Sequence, residues 1–166
     1  MADEAQPAAA PQQGQVPPQP ILKVLSQYVR DMSFENVAAQ KGKAPTGQPN
    51  FNVQVGLDAQ KKGDKHFEVV IKLQVNASFE KDTLFILEIE YAGLFEVDNV
   101  AEQQLHPFLL IECPRQIFPY LRRIVSDITH DGGFPPLNLD NIDFLNLYQQ
   151  ELQRRAQAEA ATAAKN

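Results

Sequence analysis

The stretch His66–Tyr91, HFEVVIKLQVNASFEKDTLFILEIEY, decides the fold. In its first part Phe67, Val69, Ile71, Leu73 and Val75 alternate with Glu68, Lys72, Gln74 and Asn76. In its second, Phe85, Leu87, Ile89 and Tyr91 share a face opposite Leu84, Ile86, Glu88 and Glu90. A period of two puts successive side chains on opposite faces, so both parts read as half-buried antiparallel strands. Upstream, Phe51–Asp58 repeats the pattern, with Phe51, Val53, Val55 and Leu57 set against Asn52, Gln54 and Gly56. The KKGDK turn at Lys61–Lys65 joins it to the next strand as a hairpin. Gly93–Val97 is a candidate for a further short strand.

Downstream the period changes. Val100–Leu110 is a short helical segment that Pro107 is expected to break. Arg115–His130 carries Ile117, Phe118, Leu121, Ile124, Val125 and Ile128 along one helical stripe, with Gly132 as a C-cap. Asn141–Arg155 forms a last helix with Ile142, Leu145, Tyr148 and Leu152 on one side and Asp140 or Asn141 near its start. Strands first and helices afterwards predict an α+β domain: an antiparallel sheet followed by helices packed on one face. Between the two helices runs Phe134–Leu139, an unusually apolar loop that either caps its own core or offers apolar surface to something else. Upstream of the strands, Ile21–Asn36 fits a short strand and a helical turn equally well.

The chain has 166 residues, a natural length for one domain, and a net charge of −6. That charge disfavours a nucleic-acid binder, which needs a basic face. The single cysteine, Cys113, excludes an intramolecular disulfide and a Cys-rich metal site. Residues 1–20 are Pro/Ala/Gln-rich without apolar periodicity and are expected to be disordered; residues 156–166 are Ala-rich, fit a fraying helix and are expected to be mobile; the domain spans 21–155. No basic-then-apolar leader and no membrane-length apolar run is seen, which predicts a cytoplasmic protein.

Chemistry is hard to find. There is no GxxxxGK[ST] loop, no GxSxG elbow and no HExxH helix. The one nucleophile–base candidate is Cys113 with His106, seven residues apart and separated by prolines. A small buried hydrophobe and a structural histidine are the expected readings of the two, so nothing in the sequence supports an enzyme. Asp140 and Asp143 read as helix-start residues rather than acids in catalysis. Two surfaces remain: the strand face with Ile86, Glu88 and Glu90, which is either a solvated face or an acidic platform for a basic partner, and the apolar loop.

Several separated blocks, in order, resemble the SecB family of bacterial export chaperones: Tyr28-Val29-Arg30-Asp31-Met32-Ser33-Phe34-Glu35, Phe67-Glu68-Val69-Val70, Ala77-Ser78, Cys113-Pro114, Ile117-Phe118-Pro119-Tyr120 and Gly133-Phe134-Pro135-Pro136-Leu137-Asn138-Leu139. The resemblance spans about Ile21 to Gln153. It implies a four-stranded sheet with helices on one face, a homotetramer built as a dimer of dimers, and a non-enzymatic, cofactor-free holdase. Such a protein keeps secretory preproteins unfolded without ATP and passes them to the SecA motor, without inserting in the membrane. Carried over by position, SecA contacts fall on Asp31, Glu35, Ile86 and Glu88. The client groove falls on Val53, Val55, Leu57, Phe67, Val69 and Ile71, with Phe134, Leu137 and Leu139 of the loop alongside. The chain departs from the family pattern at Pro49-Asn50-Phe51, where a tryptophan often stands, in a longer leader, and in the less acidic tail QAEAATAAKN. A SecB-like chaperone of another system, such as a toxin–antitoxin pair, fits the same residues.

Overall fold

The alternating segments form one antiparallel sheet, seen in a computed structural model that describes residues 17–44 and 47–164. Its strands are β1 (Ile21–Glu35), β2 (Asn50–Lys61), β3 (His66–Phe79) and β4 (Asp82–Asp98), in the order β1-β4-β3-β2. Two hairpins build β2-β3-β4. The chain reaches them from β1, on the far edge, through the one-turn helix α1 (Val37–Gln40). The segment left open between strand and helix is thus a 15-residue strand, and Gly93–Val97 belongs to β4 rather than to a strand of its own.

Partners directly opposite in the ladder share a face. The inner face gathers Val53, Val55 and Leu57 of β2, Val69, Ile71 and Leu73 of β3, and Leu87, Ile89 and Tyr91 of β4. Helix α2 (Glu102–Asp131) covers it with Leu109, Leu110, Cys113, Ile117, Phe118, Leu121 and Val125, all buried. This is a single 30-residue helix, not the two segments expected around Pro107, and it also runs through Pro114 and Pro119. An interior proline costs about 3 kcal/mol. The buried side chains recur every three or four residues from Leu109 to Thr129, and that continuous burial against the sheet outweighs the interruptions.

Helix α3 (Phe144–Ala163) begins three residues later than expected. Its cap is Asp143, whose side chain accepts from the Asn146 amide at 3.1 Å, not Asp140 or Asn141. The Phe144 ring packs edge-on against Phe118, with centroids 5.7 Å apart. Beyond Glu151 every described side chain of α3 is exposed, and the helix continues to Ala163. Residues 1–16 of the expected disordered tail lie outside the described residues.

At the end of α2 the chain turns at Gly132 and Gly133. Gly133 adopts φ +83°, the left-handed conformation glycine takes without strain. Gly132 is small for a different reason: a Cβ there would lie 2.6 Å from the Phe34 ring. Asn36 completes this junction by donating to the Gly132 carbonyl at 2.8 Å, which fastens the β1–α1 crossover to the tip of α2.

Candidate functional site

The outer sheet face carries two clusters of charge. Tyr28 on β1 donates its hydroxyl to Glu68 on β3 at 2.8 Å, reaching across β4, where Ala92 is opposite Tyr28 and presents only a methyl group. Arg30 and Lys62 each lie 3.5 Å from Glu68; Arg30 also lies 3.5 Å from Glu90, and Lys72 3.8 Å from Glu90. Glu68 is 9% exposed, and Val70 and Ala92 below this network are fully buried although they face outward. The Tyr28 hydrogen bond, ahead of the charges of Lys62 and Arg30, holds the Glu68 carboxyl below its ordinary value against the upward push of burial. The same hydrogen bond to Glu68, with burial, raises the Tyr28 phenol.

The second cluster lies toward the other end of the face. Glu35 is opposite Ile86, Ser33 opposite Glu88, and Asp31 opposite Glu90. The four residues expected to contact a motor therefore share this face. Asp31, Glu35 and Glu88 are exposed and Ile86 is half-buried. Among the described residues no cation forms an ion pair with Asp31, Glu35 or Glu88; Glu88 accepts only from the Gln74 amide at 3.1 Å. A concavity of about 650 Å³ opens here, lined by Asp31, Gln54, Gly56, Lys72, Gln74, Glu88 and Glu90 and bounded by Leu147, Gln150, Glu151 and Arg154 of α3.

The nine expected groove residues divide by exposure. Val53 is 40% exposed, and Val55, Leu57, Leu137 and Leu139 are half-buried. Phe67, Val69, Ile71 and Phe134 are at most 5% exposed and form a covered floor. The cover on β3 is α2; Phe134 is held by its own loop. Its ring centroid is 4.8 Å from Phe85, and Phe51 at the start of β2 is 6.3 Å from the same ring. Thr129 anchors the loop, its carbonyl accepting from the Phe134 amide and its hydroxyl from the Leu137 amide at 2.9 Å. The apolar loop thus caps the core with Phe134 and leaves Leu137 and Leu139 partly open.

The sequence reading missed two features. One is the Tyr28–Glu68 network. The other is a row of apolar residues on β1, with Val24, Leu25, Tyr28, Val29 and Met32 all about two-fifths exposed. Val24, Val29 and Met32 stand opposite Phe95, Tyr91 and Ile89, on the inner face. The only signal in the sequence was apolar content on both sides of the strand. His106 and Cys113 do not assemble a catalytic pair. The His106 ring lies within hydrogen-bond distance of the Tyr148 hydroxyl, at 3.2 Å, while Cys113 is fully buried with its thiol pushed up to about 12 by desolvation. No group of acidic, histidine and cysteine side chains among the described residues is placed to hold a metal, and no described helix is long and apolar enough to cross a membrane.

Residues 15–155 match the family model for SecB, described as preprotein translocase subunit SecB. The chain belongs to the SecB family. It is 60% identical over 166 residues to the protein-export protein SecB of Dinoroseobacter shibae, covering 97% of this chain and 96% of the relative. The corresponding protein of Roseobacter denitrificans is 61% identical over 144 residues, covering 85% and 87% of the two chains. Among solved structures, the SecB-like chaperone of Mycobacterium tuberculosis, in complex with a ChAD peptide from an antitoxin, shares the fold. Its TM-score is 0.62 at 18% identity, over 73% of this chain and 89% of that one. As a SecB, the protein is a protein-export chaperone and not an enzyme.

Proposed function

We propose that this SecB is a cytoplasmic, ATP-independent holdase that keeps secretory preproteins unfolded and hands them to the SecA motor, working as a dimer-of-dimers homotetramer. The observation that carries the reading is the open apolar margin of the sheet. Phe51, Val53, Val55 and Leu57, with Leu137 and Leu139 of the loop, offer water-facing apolar surface on a chain of an export family. Unfolded clients share exposed hydrophobic groups and little else, so apolar contact without a fixed motif suits them. The covered residues Phe67, Val69, Ile71 and Phe134 join the groove where a client displaces their cover.

The acidic cluster of Asp31, Glu35 and Glu88, with Ile86 as an apolar contact, is the SecA surface in this reading: carboxylates without cations are available to a basic segment. The exposed apolar row on β1 supports the tetramer, since a second copy would bury it. The antitoxin peptide belongs to the M. tuberculosis protein, and 60% identity to an export protein over nearly the whole chain favours export here.

The test is suppression of aggregation of a chemically unfolded preprotein without nucleotide. Val53→Asp with Leu137→Asp should abolish it while the fold survives, because both positions reach solvent. Unchanged activity in the double variant would remove the groove. Light scattering tests the assembly, with a monomer at micromolar concentration excluding the tetramer.

A further inference from the structure

β2 is an edge strand, so one row of its main-chain groups has no partner within the sheet. The turn identifies which row. The Lys62 amide donates to the His66 carbonyl at 2.8 Å, making 62 and 66 a hydrogen-bonded pair. The β2–β3 register continues from Lys61↔Phe67 to Asn50↔Ser78 without a shift. Hydrogen-bonded and non-hydrogen-bonded pairs alternate along an antiparallel ladder. Gln60, Asp58, Gly56, Gln54, Asn52 and Asn50 therefore direct their amides and carbonyls at β3. Phe51, Val53, Val55, Leu57, Ala59 and Lys61 direct theirs out from the edge. These are the same residues whose side chains lie on the apolar inner face.

Edges are usually blunted by proline, charge, a bulge or a covering element. None of the six outward-directed positions is proline, and only Lys61, at the turn end, carries charge. The β2 register has no bulge, whereas the opposite edge, β1, has two irregularities, at Val24/Ser26 and Val29/Asp31. Leu147, Gln150 and Arg154 of α3 share the 650 Å³ outer-face concavity with Gln54–Gly56, and a smaller cavity of about 100 Å³ lies between Val55–Leu57 and Leu147, Tyr148 and Leu152, so α3 flanks this part of the edge without closing on it.

We propose that the free edge of β2 receives an extended segment of an unfolded polypeptide as a fifth strand. This deepens the holdase reading and rests on it. Each client residue opposite Val53, Val55 or Leu57 exchanges two main-chain hydrogen bonds and places its side chain on the same apolar face. Main-chain groups are common to every unfolded client, so the edge supplies affinity that is independent of side-chain sequence. Among the described residues, a single strand has only α3 to pass along this edge. A second copy pairing edge to edge would bring its own α3 against this one.

Residue-resolved amide exchange on the full-length protein, alone and saturated with a reduced, carboxymethylated and permanently unfolded polypeptide, tests the proposal. Alone, the Val53, Val55 and Leu57 amides should exchange fast and those of Gln54 and Gly56 slowly; with the polypeptide, all five should be slow. Val53, Val55 and Leu57 amides that stay fast in the saturated complex overturn the added strand and leave the holdase reading standing. A polypeptide that does not bind removes both. Protection of the same three amides without polypeptide, rising with protein concentration, assigns the edge to a second copy and overturns the proposal. A variant pair reads the same point by affinity. Val53→Pro deletes one outward amide and no bond to β3, as edge strands tolerate. It should bind the polypeptide about fivefold more weakly than Val53→Thr, the worth of roughly one hydrogen bond. Equal affinities for the two variants would count against main-chain recognition.

Discussion

The two charged regions of the outer face use the same residue types to opposite effect. Around Glu68 the carboxylates already have partners: Tyr28, Arg30 and Lys62 for Glu68, Arg30 and Lys72 for Glu90. Around Glu88 the carboxylates of Asp31, Glu35 and Glu88 face water, and none forms an ion pair among the described residues, although Lys72 and Arg154 line the same concavity. A satisfied ion pair gains little from a newcomer, because binding must first break it. An unpaired carboxylate in water costs the fold little and gains attraction when a basic partner arrives. The difference suits the Glu68 region to stability and leaves the Glu88 region open for the recognition proposed above.

Reversing a charge in the open region has the largest expected effect. If the proposed SecA surface is right, Glu88→Lys should weaken SecA binding about a hundredfold, since a basic segment would now meet a like charge. Titration calorimetry reads the loss, and the urea midpoint and client binding should not move. Stability falling together with affinity would merge the two regions. Next in size is Glu68→Ala, which leaves the Tyr28 hydroxyl without its acceptor and removes one of the two carboxylates paired with Arg30, and should cost about 2 kcal/mol in urea unfolding. SecA affinity should stay unchanged; a matching loss would show that the network also serves recognition. Tyr28→Phe removes a single hydrogen bond and should cost about 1 kcal/mol by the same measurement.

The smallest expected effect is on pH dependence. Because folding holds the Glu68 carboxyl below its ordinary 4.5, its contribution is complete above that pH and is lost as pH falls through the lower folded value. Comparing wild type with Glu68→Gln between neutral and acid pH isolates it. The two stability curves should converge at the acid end, and parallel curves would mean that Glu68 gains nothing from its partners.

Strand identity was legible because α2 covers one face of β3 and β4 and β2 continues that apolar face, which imposes a period of two on the residues themselves. β1 was ambiguous for a physical reason: it is an edge strand with two register irregularities and apolar residues on both faces, so its alternation is broken twice. The prolines of α2 misled because local propensity counts their cost and cannot see the sheet that compensates it. The carried-over groove residues could be put on one face by alternation alone. Which of them α2 and the loop would cover could not, since burial of Phe67 and Phe134 depends on elements distant in the chain. The Tyr28–Glu68 bond joins residues 40 apart and has no local signature.

Cys113 has a use that follows from its inertness. It is the chain's only cysteine, it is fully buried in the face that α2 turns to the sheet, and its thiol is pushed up to about 12. While α2 is seated, the thiol is both protonated and out of reach, and neither oxidants nor alkylating reagents have a thiolate to attack. Labelling at Cys113 therefore proceeds only as fast as the helix lifts from the sheet. The native sequence carries its own clock for that opening, with no second thiol to confuse the signal and no engineered probe to disturb it.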